Sequence, residues 1–171
     1  MKLLFALLAL MMMLAPPARA EQPKVAVFDF ELLDTSLQGE MQGVRKDEQA
    51  RLVHVTQQLR QALADSGKFQ MLDIAPVATA AHDSNLQACG GCDVKLAEKL
   101  GADIAVTGLV QKVSNLIINM NIYLHDVHTG KPIAAMSADM RGNTDESWTR
   151  TMEWLIRNRM LAPNYGAAQA Q

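Results

Sequence analysis

Two stretches of strict alternation in the second half of the chain limit its fold more than any other feature. "LIINMNIYLHDV" (116–127) and "PIAAMSADMRG" (132–142) are joined by the short "HTGK". Side chains of an extended strand point alternately to opposite faces, so a period of two over this length specifies a long antiparallel hairpin with one buried side. Gly130 falls at the turn position that tolerates a positive φ. In the first strand Leu116, Ile118, Met120, Ile122 and Leu124 read as core, against Ile117, Asn119, Asn121, Tyr123 and His125 on the other side. The second strand repeats the pattern, with Ala134, Met136, Ala138 and Met140 inward and Ala135, Ser137, Asp139 and Arg141 outward. Such a hairpin needs a layer over its apolar side and presents hydrogen-bonding groups on the other. Asn119, Asn121, Tyr123, His125, Ser137, Asp139 and Arg141 are therefore the candidate interaction face. Simple solvation of a one-sided sheet gives the same pattern. Asparagine is a poor strand former, however, and two in one strand carry a propensity cost that partner binding would explain.

The segments before the hairpin supply the covering layer. "KVAVFDFELL" (24–33) reads as one buried strand, with Val25 and Val27 on one face and Ala26, Phe28 and Phe30 on the other. Within it Asp29 is an acid in an apolar run. The polar stretch from Asp34 to Lys46 has no clear period and is expected to be a long loop, of the kind that often carries function. A helix capped by Asp47 runs to about Asp65, with Leu52, Val55, Leu59 and Leu63 on one stripe and Gly67 closing it. "KFQMLD" is a short strand, and "APVATAAHDSN" a weak helix or turn. Cys89 or Cys92 opens the next helix, with Asp93 in its first turn, Lys99 in its last and Gly101 at its end. "DIAVTGLVQKV" is a third strand. Thr144 starts a last helix to about Met160, with Trp148, Met152, Leu155 and Arg159 on one side and Trp154 off that stripe. The order β-α-β-(α)-α-β-β-β-α predicts an α/β (α+β) two-layer sandwich: a mixed sheet of about five strands with helices mainly on one face.

The first twenty residues set the compartment. Lys2, an unbroken apolar run from Leu3 to Leu14 and Ala18-Arg19-Ala20 have the form of a secretory signal peptide, too short to span a bilayer. The division expected is 1–20 signal peptide, 21–161 one domain and 162–171 a flexible tail. Cleavage after Ala20 takes two of the 16 basic side chains, Lys2 and Arg19, and leaves 14 against 18 acidic ones. That mild acidic balance gives no reason to expect nucleic acid or anionic lipid as a partner. No later run is long enough for a transmembrane segment, and no cysteine follows the cleavage site to carry a lipid. A periplasmic or secreted protein is expected.

Four phrases, "KVAVFDFEL", "LRQALADSGKFQMLD", "AEKLGADIAVTGLVQKV" and "IYLHDVHTGKPI", follow one another in a familiar order and spacing. Over roughly Lys24 to Arg141 the chain resembles the N-terminal domain of TolB and the periplasmic domain of CsgG-type curli-export lipoproteins, and most of all a family of small secreted bacterial proteins carrying a related domain of unknown function. The resemblance implies a mixed α/β module for interaction or assembly in the periplasm, with no catalytic residues to carry over. It does not extend to the TolB propeller, the CsgG pore hairpins or the lipid-anchor cysteine, so pore formation is not expected.

Cys89 and Cys92, in "ACGGCD", are the only two cysteines. In an oxidising compartment a C-x-x-C pair is expected as a disulfide, and two intervening glycines suit so small a ring. A helix N-terminus could instead activate one thiolate for exchange, although the neighbouring Asp93 opposes that. The motif also sits late in the chain, where a thioredoxin-like domain would not carry it. A zinc site needs more ligands than His54, His82, His125 and His128 supply at suitable spacing, and these read as exposed polar residues. No cofactor is expected. Neither G-x-S-x-G, H-E-x-x-H, a phosphate loop nor a dinucleotide fingerprint is present. The chain therefore reads as a non-enzymatic binding module for an envelope protein. The alternative is a thiol-disulfide exchange protein using Cys89 and Cys92; a metal or small-ligand carrier is weaker still.

Overall fold

A computed structural model of the protein describes residues 21–162. The signal peptide assigned to 1–20 and nearly all of the 162–171 tail lie outside the described residues.

Six strands form one open mixed sheet. They are β1 (Lys24–Val27), β2 (Glu31–Asp34), β3 (Gln70–Met71), β4 (Ile104–Ser114), β5 (Ile117–Asp126) and β6 (Pro132–Met140). The order is β3-β1-β4-β5-β6, with β2 beside β4 beyond the end of β1. The first three strands run parallel to their neighbours, and β4, β5 and β6 are antiparallel. The helices are α1 (Leu37–Gln42), α2 (Lys46–Asp65), α3 (Ala78–His82), α4 (Cys92–Lys99) and α5 (Asp145–Leu155). A π-helical turn, Ile156–Met160, extends α5. Thr144 caps α5 as its sequence implies, its Oγ1 accepting from the Ser147 N–H.

The predicted α+β sheet fold is the one observed. On one face, Leu52, Val55, Leu59 and Leu63 of α2 and Trp148, Met152 and Leu155 of α5 pack on Val106, Val110, Ile118, Met120, Ile122, Leu124, Met136 and Met140. This is the side that the hairpin alternation marks as core. The other face is not bare throughout. A second, smaller cluster joins Ala26, Phe28 and Ala105 to Ala81 of α3 and Leu96 and Ala97 of α4. No residue of β5 or β6 belongs to it. The molecule is thus three layers deep over β1 and the start of β4, and two layers deep over β5 and β6.

Several local expectations are corrected. The first strand is broken in two. Val27 pairs with Val106 and Glu31 with Leu109, so four residues on one side span three on the other. The extra residue acts as a bulge and reverses the alternation. Phe30 thereby joins Val25 and Val27 on the α2 side, leaving Ala26 and Phe28 on the other. Asp29 is pushed outward at the bulge, where it pairs with Arg60 at 3.0 Å. The Asp34–Lys46 segment contains α1, capped by the Ser36 hydroxyl, which accepts from Gly39 N–H at 3.1 Å. Leu116 is exposed because it lies in the β4–β5 turn rather than in β5. Helix α2 starts at Lys46, with Arg45 rather than Asp47 at its cap.

One buried polar network has no counterpart in the sequence reading. Lys112 of β4 points into the α2-side core and is fully buried. Its Nζ donates to Glu48 Oε1 at 2.6 Å, Asp34 Oδ2 at 2.9 Å and Gln38 Oε1 at 3.2 Å. Glu48, also buried, accepts from Asn143 Nδ2 at 2.6 Å, and Asn143 Oδ1 accepts from Trp148 Nε1 at 3.0 Å. Every hydrogen on the ammonium has an acceptor, which is the condition for tolerating a charge in a core.

Candidate functional site

The residues singled out by sequence gather on the α4 side of the sheet, though not as one uniform row. At its outer end, Asn119 Nδ2 donates to Ser137 Oγ at 2.9 Å and to Asp139 Oδ1 at 2.8 Å. Ser137, Asp139 and Arg141 are exposed there. This part of the ladder is wet, and its side chains partly satisfy one another across β5 and β6. Asn121 is different. It is buried between Leu109 and Ser137 on the neighbouring strands, with its Nδ2 3.5 Å from the Leu109 carbonyl. Asn121 is therefore not available to a partner as the alternation suggested.

Tyr123 and His125 are half-buried in a cleft of about 590 Å³ between the sheet and the loop that opens α4. The two glycines of the C-x-x-C make that loop possible. Gly90 and Gly91 take φ of 67° and 96°, a conformation that side chains disfavour. The sulfurs of Cys89 and Cys92 lie at disulfide distance, with Cα atoms 5.7 Å apart. The Cys92 N–H points at Cys89 Sγ, 3.2 Å away. The next residue, Asp93, is buried, and its Oδ2 lies 2.6 Å from His125 Nδ1. That bond ties α4 to β5.

Thr107 completes the cleft from β4. It is 3% exposed, and neither its hydroxyl nor that of Tyr123 hydrogen-bonds to another described residue. Asp93 and Thr107 were not recognised as site residues from sequence. A threonine inside the apolar run "IAVTGLV" was the available signal, since buried hydroxyls need partners. Among the described residues no three of His, Cys, Asp and Glu gather as a metal site. Trp154 lies exposed at the β6 edge, with the Arg159 guanidinium over its ring at 5.4 Å.

The disulfide shapes this cleft more than it holds the fold. Closing so small a ring removes little chain entropy, on the order of 2 kcal/mol. The double replacement Cys89→Ser with Cys92→Ser is expected to lower unfolding free energy by about that much or less. Amide exchange should rise most in residues 86–93, and in β4 and β5 by no more than the loss of global stability requires. Denaturant unfolding with residue-resolved hydrogen exchange checks both.

Comparison with solved structures places the same fold elsewhere. The C-terminal domain of LpoB from Salmonella enterica superposes with a TM-score of 0.52 at 18% identity, over 77% of this chain and 91% of that one. The hypothetical protein CT253 from Chlamydia trachomatis gives 0.50 at 13% identity, over 87% of this chain and 100% of that one. TolB from Acinetobacter baumannii also aligns, at 14% identity with a TM-score of 0.43, over 81% of this chain and 29% of that one. At these identities the likeness is one of fold, and the TolB score is too low to carry more. No curated protein matches the chain by sequence. Among the described residues no helix is long and apolar enough to cross a membrane. Residues 23–160, almost all of the described structure, match the family DUF3280, described as "Protein of unknown function (DUF2380)", and the chain belongs to that family.

Proposed function

We propose that the protein is an exported, non-enzymatic binding module that engages another protein of the cell envelope through the open side of β5 and β6. The observation that carries this reading is the uneven cover of the sheet. Helices α3 and α4 close the outer face over β1; α4 touches β5 through the Asp93–His125 bond, and no apolar residue of β5 or β6 joins the cluster beneath them. What remains is a polar strip with Ser137, Asp139 and Arg141 at its outer end and the unbonded Tyr123 hydroxyl at its inner end. Tyrosine and arginine are the side chains that most often dominate such contacts. The leader-like first twenty residues support an envelope setting.

Capture from a periplasmic extract, using the native protein and a Tyr123→Ala/Arg141→Glu variant, tests this. Both positions lie outside the core, so the variant should keep its thermal midpoint. Recovery of the partner should fall roughly tenfold or more, the result of losing two contacts worth about 1 kcal/mol each. Equal recovery by both proteins would count against the β5–β6 face.

Thiol exchange is the second reading. It is favoured by the half-exposed Cys89 sulfur, towards which the first N–H of α4 points. The buried Asp93 carboxylate beside it works the other way. A pair that resists reduction by a glutathione buffer would assign the bond a structural role.

A further inference from the structure

The outer edge of the β1–β2 line changes partner twice, and the second change leaves it empty. The Val25 carbonyl accepts from Leu72 N–H at the end of β3. Strand β3 then stops, and α2 supplies side chains in its place. The Val27 carbonyl accepts from Arg60 Nη2 at 2.6 Å, and the Phe30 N–H donates to Thr56 Oγ1 at 3.0 Å. On the opposite edge, Phe28 N–H and Thr35 N–H donate to the Val106 and Lys112 carbonyls of β4. Backbone groups alternate between the two edges of a strand. The N–H and C=O of Leu32 therefore face outward, where no described residue meets them.

They face a cleft of about 570 Å³, within the roughly 300–1,000 Å³ range of ligand sites. It is bounded by Gln49 and Leu52 of α2 on one side, and by Ala81 of α3 and Leu86 on the other. Asp29, Glu31 and Asp83 line it, and no lysine or arginine does. Asp29 is already paired with Arg60, which leaves a net acidic rim.

We propose that this cleft receives an extended, lysine- or arginine-bearing segment of a partner protein, which adds a strand beside β2 in the space that β3 leaves vacant. An extended peptide backbone offers a donor and an acceptor to match those of Leu32, as strand addition to a sheet edge requires. The apolar walls take alternate side chains, and the carboxylates select basic ones over acidic ones. The site is separate from the β5–β6 face, so either can fail without the other.

The probe is a ten-residue peptide of alternating lysine and valine, titrated with the protein by fluorescence anisotropy. Two versions carry N-methyl groups on every lysine amide or on every valine amide, each of which removes the donors of one peptide edge. Saturable binding is expected, weakened roughly tenfold by one methylation pattern and by less than about twofold by the other. Exchange of all lysines for glutamates should abolish it. Leu32→Pro removes one outward N–H without touching the β4 ladder and should weaken binding to a similar degree. Asp83→Lys, at an exposed position, should do so even if the proline variant folds poorly. Absence of saturable binding, or equal binding by both methylated peptides, would overturn the proposal. So would a concentration-dependent dimer lost in Leu32→Pro, because the occupant would then be a second copy of this chain.

Discussion

Lys112→Ala is expected to be the most damaging single substitution in this protein, lowering unfolding free energy by about 3–5 kcal/mol. The loss comes from what the lysine leaves behind. Glu48 is 1% exposed and Asp34 is largely enclosed, so two carboxylates would face each other in the core without their counter-ion. Lys112→Met combined with Glu48→Met should recover only part of the loss, because the apolar pair removes the Glu48 charge while Asp34 keeps its Ser36 hydrogen bonds without a counter-ion. Urea unfolding of the single and double variants measures both. The pH dependence has a definite sign. Burial opposes the charged form of Asp34, but hydrogen bonds from Ser36 and Lys112 outweigh it and hold the carboxyl below its ordinary value. Its contribution is therefore complete above the unfolded value near 3.9 and is lost as pH falls towards the folded one. Burial likewise opposes the Lys112 charge, and Glu48 and Asp34 outweigh it and raise its pKa. That contribution is complete below about 10.4 and fades as pH rises beyond it. Native stability should stay level from about pH 5 to 9 and decline at both ends. The double methionine variant should show a weaker decline.

Gly108→Ala should destabilise through contact alone, by up to about 3 kcal/mol. A Cβ built on Gly108 falls 2.3 Å from three ring atoms of Phe30. The ring is buried and its backbone N–H is tied to Thr56, so it has little room to retreat. The backbone at Gly108 is ordinary β-strand, which separates this cost from any conformational strain. Phe30→Leu in the Gly108→Ala background should restore part of the stability, since the shorter side chain clears the added methyl. Additive losses in thermal unfolding would show that the two positions do not touch.

Legibility in the sequence followed the length of each pattern. The β5–β6 hairpin and the stripes of α2 and α5 repeat their periods over two or more turns or pairs, and the sequence carries them except at their ends, where Leu116 falls in a turn and Arg159 leaves the α5 stripe to lie over Trp154. The break between Val27 and Glu31 was not, because a single extra residue has no periodicity of its own and only the register with β4 exposes it. The alternation likewise placed Asn121 outward, which is true of its direction. Its burial depends on Leu109 and Ser137, residues brought beside it by two other strands. Lys112 was invisible for a related reason. A lysine near the end of an apolar strand ordinarily reaches solvent, and here α1 and the start of α2 close over it. Cys89 and Cys92 announced their own pairing, but not that Asp93 would anchor His125 from the next position.

The strand order also dictates a sequence of events during synthesis. Strand β1 finds only two partner residues in β3, and its main pairing, Val25 opposite Ile104, spans about eighty positions of chain. A nascent polypeptide thus exposes Val25, Val27, Phe28 and Phe30 long before residues 104–114 emerge to cover them. Strands β4, β5 and β6, by contrast, are neighbours in sequence and can zip together at once. Contact order favours assembly that begins in the last-made half and recruits the first-made strand afterwards, and residue-resolved refolding by pulsed hydrogen exchange should protect β4–β6 before β1.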